Sequence, residues 1–169
     1  MLGKSIRDPK KIESIQESID GLGLLNSTTI FHNDKTTMQV KARIAVDKGL
    51  LKGLRDIEIT GYEIHMGQTI SQDCLPVLHI SETPQGKVNY SDGAVDSTGL
   101  IFGTYVHGLF HNAKFTHSFL NRLRQLHDLP STPASTINRQ EIYDKLAYII
   151  RHNIDMSQVY KIALGGHHG

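Results

Sequence analysis

The sequence has one cysteine, Cys74, and no tryptophan. A lone thiol excludes an internal disulfide framework and a Cys-rich zinc site. It fits a reducing compartment and predicts a soluble cytoplasmic protein. Charge of one sign is also lacking: 18 Lys and Arg face 17 Asp and Glu, a formal net charge of +1. So balanced a chain carries no electrostatic footprint for nucleic acid or an anionic membrane, and neither is expected as a partner. No apolar run approaches the roughly 18 residues of a membrane span. The opening Met1-Leu2-Gly3-Lys4-Ser5-Ile6-Arg7-Asp8-Pro9 lacks the apolar stretch of a secretion signal. What remains is an ordinary globular composition, 38% hydrophobic and 21% charged, over 169 residues. A domain of that length buries about 70% of its unfolded surface without disulfides or metals. One domain over residues 1–169 is therefore expected.

Periodicity places the elements. Asp8 can cap a helix whose first turn holds Pro9. Ile12, Ile15 and Ile19 lie at helical spacing, and Gly21 and Gly23 end the run. Strands are predicted at Thr28 to Phe31 and at Gln39 to Asp47, where Val40, Ala42, Ile44 and Val46 alternate with polar residues. Clean alternation points to antiparallel pairing. Further strands are predicted at Asp56 to Met66, Val77 to Ile80 and Leu100 to Val106, with loops at Gly49 to Gly53, at Gly86 and at Asn89 to Gly93. Apolar stripes then predict helices from about Asn112 to His127 and Asn138 to His152, and a short one around Val159 and Ile162. Strands gathered in mid-chain and followed by helices fit α+β, or the tail of an α/β domain.

Ten histidines are the most unusual feature: His32, His65, His79, His107, His111, His117, His127, His152, His167 and His168. No His-Glu-x-x-His helix pattern joins them, Gly108 interrupts the pair His107 and His111, and the closing Gly-Gly-His-His-Gly reads as a tail. No metal site is expected. Two segments stand out, Gly61-Tyr62-Glu63-Ile64-His65-Met66-Gly67 and Phe102-Gly103-Thr104-Tyr105-Val106-His107-Gly108-Leu109-Phe110. Each is an apolar strand ending in histidine with glycine close behind, a pattern that can present a general base to a cleft. The same pattern also fits a turn histidine bonded to backbone.

These segments resemble the signatures of the glutamine amidotransferase domain of cobyric acid synthases, in the CobB/CobQ-like branch of class I amidotransferases. Gly21-Leu22-Gly23-Leu24-Leu25, the segment from His32 to Thr37, Val40-Lys41-Ala42-Arg43, Asp92-Gly93-Ala94 and Phe119-Leu120-Asn121-Arg122-Leu123 follow in family order. The resemblance covers roughly Met1 to Leu126. It implies an α/β, class I glutamine amidotransferase-like fold of the flavodoxin-like three-layer kind. This chain would be its C-terminal portion, with largely antiparallel strands followed by helices.

The resemblance also implies chemistry. Family members release ammonia from glutamine through a Cys-His pair: the thiolate attacks the side-chain amide, a glutamyl thioester forms, and water releases glutamate. His107 matches the family base. Many class I relatives carry a glutamate two residues after it, where this chain has Leu109; Glu63 could orient the imidazole in its stead. Tyr62, Glu63 and His65 would shape the glutamine pocket, or be a purely structural strand end. The family nucleophile sits in a Cys-Gly-Gly-Tyr-Gln-Met-Leu-Gly-like turn, of which Met1-Leu2-Gly3 matches only the end, and Cys74 does not align with it. A domain without that turn and its preceding strands would be inactive alone and would expose a sheet edge to self-association or to a partner chain. The implied whole enzyme amidates adenosylcobyrinic acid a,c-diamide in cobalamin biosynthesis, with ATP and magnesium held by a separate synthetase domain and no cofactor in this chain. The alternatives are a cobyrinic acid a,c-diamide synthase-like amidotransferase, a cell-wall amidotransferase relative, or a non-catalytic binding or scaffolding module of the same shape.

Overall fold

A computed structural model describes residues 1–134 and 139–165. Where the sequence predicts one domain, the chain divides into two compact units, Met1–Pro133 and Ala134–Gly169. The first unit is built on two long antiparallel strands, Ser27–Ile44 (β3) and Glu58–Ser71 (β4). Their register runs from Ser27 opposite Ser71 to Arg43 opposite Glu58. Ser5–Arg7 (β1) lies parallel to the start of β3, and Ser18–Asp20 (β2) pairs antiparallel with β1. Leu78–Thr83 (β5) pairs with the end of β3, and Gly86–Asp92 (β6) with β5. Ala94–Val95 (β7) and Phe102–Gly103 (β8) form a separate two-stranded ladder. Val106–His107 (β9) closes the main sheet against β4.

Alternation explains the core. Val40, Ala42 and Ile44 of β3 and Ile59 of β4 are buried with Leu78 and Ile80 of β5. A 3-10 turn at Leu109–His111 leads into the helix Ala113–Leu126 (α1), which buries Phe115 and Phe119 against that core. The second unit holds the helices Arg139–Asn153 (α2) and Met156–Gly165 (α3). The architecture is mixed α/β, with a largely antiparallel sheet followed by helices, as the sequence predicts. The predicted strands at Thr28 to Phe31 and Gln39 to Asp47 are one strand, interrupted where His32 to Lys35 bulge out between Phe31 and Thr36. The tail histidines His167 and His168, and the predicted start of α2 at Asn138, lie outside the described residues. No described helix is long and apolar enough to cross a membrane.

Three expectations are corrected. The predicted helix from Asp8 to Gly21 does not form. The Asp8 carboxylate instead accepts hydrogen bonds from the N–H groups of Ile12, Glu13 and Ser14 at 2.8 to 3.0 Å, curling the segment into a loop. Such local side-chain bonds compete with helix, and pairing of β2 with β1 decides the outcome. Ile15 and Ile19, the helical stripe, are exposed. The predicted loop at Asn89 to Gly93 is largely strand β6: Val88, Tyr90 and Asp92 turn inward while Lys87, Asn89 and Ser91 stay exposed. The single strand predicted from Leu100 to Val106 is split into β8 and β9, because Thr104 and Tyr105 are bent onto Asp92.

Desolvation works against the ionised Asp8 carboxylate, but its backbone donors outweigh that and hold its pKa below the ordinary value. We expect Asp8→Ala to open the loop locally: amide exchange at Ile12, Glu13 and Ser14 should accelerate while β5 stays protected. The wild-type carboxylate's stabilisation should vanish in acid, as pH falls from about 4 through its lowered folded value.

Candidate functional site

The strand β4 presents two different faces, because successive side chains alternate. On one face lie Glu63, His65 and Gly67, which line a cavity of about 690 Å³ together with residues of β3, β6 and the Thr104–Tyr105 bend. Glu63 is buried in its wall. Its Oε2 accepts from the Tyr90 hydroxyl at 2.5 Å, and its Oε1 lies 3.2 Å from His65 Nε2. His65 Nδ1 lies 2.7 Å from the Gly67 carbonyl oxygen. A carbonyl only accepts, so Nδ1 carries a proton and donates. Its Nε2 faces the Glu63 carboxylate, so the two side chains are held as a pair on the cavity wall.

Other polar groups of the wall bond one another. The Tyr105 ring tilts over His65 with centroids 4.5 Å apart, and its hydroxyl bonds Thr69, which in turn meets Thr29. Asp92 accepts from the Thr104 hydroxyl and the Tyr105 N–H, and Thr104 Oγ1 accepts from the Val106 N–H. The bend before β9 is therefore tied to the cavity. Burial, with the charge of Glu63 nearby, pushes Asp92 above the ordinary carboxylate value despite its Thr104 and backbone donors. Burial and the Glu63 hydrogen bond raise Tyr90 far above an ordinary phenol. A group whose pKa is raised on folding favours the folded state below its unfolded value and loses that contribution as pH rises through its folded value. We therefore expect Asp92→Asn to gain stability relative to wild type as pH climbs from 4 to 7, read as a widening gap in urea midpoints. A gap independent of pH would contradict this.

On the other face of β4 lies Tyr62, directly opposite His107 of β9. Both are exposed, and neither lines the cavity. The structure thus brings Glu63 together with His65 and Tyr62 together with His107, on opposite faces of one strand. Glu63 contacts His65 and not His107, which lies on the opposite face of the strand. Leu109, two residues after His107, is buried in the core. Two glycines let His107 sit where it does. A Cβ on Gly61 would meet the His107 carbonyl oxygen at 2.4 Å, so only glycine admits β9 this close. Gly108 turns the chain after His107 at a φ of 83°, in the left-handed region.

Tyr90, Asp92, Thr69 and Tyr105 were not visible as site residues. The inward alternation of Val88, Tyr90 and Asp92 was the available signal, hidden by Asn, Ser and Asp that read as loop. Cys74 is a free, half-buried thiol in the segment between β4 and β5 and does not line the cavity. No group of three or more His, Cys, Asp or Glu able to hold a metal occurs among the described residues.

Comparison with known proteins matches residues 1–115 to the CobB/CobQ-like glutamine amidotransferase domain. The chain is 44% identical over 162 residues to a cobyric acid synthase of Dehalococcoides mccartyi (strain CBDB1), covering 96% of this chain and 32% of that protein. It is 44% identical over 168 residues to one of Thermoanaerobacter sp. (strain X514), covering 96% and 33%. It is 42% identical over 171 residues to one of Clostridium novyi (strain NT), covering 98% and 32%. The chain spans about a third of the length of the curated relatives it matches.

Proposed function

Because the chain belongs to the CobB/CobQ-like glutamine amidotransferase family, we propose that it supplies ammonia from glutamine to a cobyric acid synthase reaction. The observation that carries this reading is His107, exposed at the end of β9 and backed by Gly61 and Gly108. In that position a neutral imidazole can take the proton of a cysteine thiol. The thiolate attacks the glutamine carboxamide carbon, and the imidazolium returns the proton to the departing ammonia. Water then cleaves the thioester and releases glutamate. Cys74 has neither the strand-to-helix turn nor the alignment for the nucleophile, so the thiol comes from outside these 169 residues. The ammonia would attack a carboxylate of adenosylcobyrinic acid a,c-diamide activated by ATP, with ATP and magnesium held by a synthetase part of the whole enzyme. The exposed β2 edge and apolar Ile15, Ile19 and Leu22 beside it would be covered there by partner surface.

The test is replacement. Set in place of the matching third of the Dehalococcoides mccartyi relative, the chain should support amidation with glutamine as nitrogen source. A second reading is favoured by the cavity itself, which holds neither His107 nor Cys74: a binding module that retains the amidotransferase shape without hydrolysis. On that reading the chimera would amidate with added ammonia only.

A further inference from the structure

We propose that Asn112 is the positioning residue for His107, clasping the turn that follows it onto β4. The proposal rests on the reading of His107 as the base, but its own evidence is independent. Asn112 occupies the N-cap of α1, where an asparagine side chain ordinarily accepts from the helix's free N–H groups. Here its side chain makes no such bond. It turns instead to β4 and to the His107 turn. Its Oδ1 accepts from the Thr60 N–H at 2.9 Å and the Thr60 hydroxyl at 3.2 Å. Its Nδ2 faces the carbonyl oxygens of Thr60 at 3.0 Å, Gly108 at 3.1 Å and Leu109 at 3.0 Å.

One amide thus ties the residue just past His107 to the strand that pairs with His107. Thr60 lies two residues before Tyr62 and so on Tyr62's face of β4, the face His107 shares. The strand β9 has only two residues and sits at the sheet edge, so its own ladder gives it little hold. Gly61 permits close approach of β9 but supplies no attraction. The clasp supplies it, on the solvent side, where the core does not reach. Both an amide donor and an amide acceptor are used, so neither Asp nor Ser can replace Asn: Asp would set a carboxylate against three carbonyls, and Ser is too short to span.

The experiment uses the 169-residue chain labelled for NMR, as wild type, Asn112→Ser and Asn112→Asp. Serine keeps a competent helix N-cap, so a capping role predicts no effect in that variant. On the clasp account, both variants speed exchange of the Thr60 amide at least tenfold and broaden or double the His107 Cε1–H resonance. The Ile80 amide in β5 should keep its protection in both, which shows that the fold survives. Unchanged Thr60 exchange and a single, unshifted His107 resonance in Asn112→Ser would overturn the proposal. Failure of the functional reading has a different signature: the clasp data would stand, while substitution of His107 left glutamine use by the chimera intact.

Discussion

His107→Ala in the chimera should cost about 10²- to 10⁴-fold in glutamine-dependent amidation, the range expected when a positioned acid–base group is removed. Amidation from added ammonia should be unchanged, because that route bypasses the amide cleavage. The split matters more than the size. His107 is exposed on an edge strand and packs no core, so its loss should not unfold the domain. A fall in both routes would point to structural damage. A fall in neither would remove His107 from the chemistry and favour the binding module. Leu109, where the resemblance implies a carboxylate, is buried and serves packing. On the clasp account, the Asn112 side chain holds the backbone that carries the imidazole, at the close approach that Gly61 permits.

Phe115→Ala should be the most damaging core change, destabilising by about 3–5 kcal/mol through lost burial and a residual cavity. A domain's whole stability is only about 5–15 kcal/mol. Phe115 is fully buried and stacks on Phe119 with centroids 5.6 Å apart, while Phe110 meets both rings and Phe102 meets Phe119. Four of the five phenylalanines therefore form one cluster, joining α1, the 3-10 turn and β8. Losing its centre should loosen the segment that follows His107 before it loosens β3 and β4. Urea unfolding checks the magnitude, and amide exchange checks the order. Phe115→Leu, which refills part of the space, should cost less; equal costs would mean that ring volume is not what holds α1 down.

The sequence showed this site unevenly. The strands β3, β4 and β5 and the helix α1 were legible, because a half-buried strand must alternate and a half-buried helix must show a stripe; α2 and α3 were legible from the same periodicity, although Ile142, Leu146, Ile149 and Ile162 are exposed. The loop after Asp8 was not, because Ile12, Ile15 and Ile19 imitate a stripe while a single carboxylate caps three amides and β1 recruits the end of the segment. Nor was β6, whose Asn89, Ser91 and Asp92 read as a turn although alternate residues face inward. The two histidine motifs were visible as strand ends beside glycine. Their separation was not, because which face a strand residue occupies depends on pairing with β9, a contact 45 residues away in sequence at Tyr62 and His107. Tyr90 and Asp92 enter the cavity wall for the same reason: long-range register places them beside Glu63.

The most direct measurement is the fate of the amide nitrogen. The chimera is given [amide-¹⁵N]glutamine alongside unlabelled ammonia in solution, and the amidated product is analysed by mass. Delivery from glutamine through this domain should put ¹⁵N into the product above the level that mixing with free ammonia allows, and His107→Ala should abolish the excess. Product carrying only the solution's unlabelled nitrogen, with His107 intact, would contradict the account.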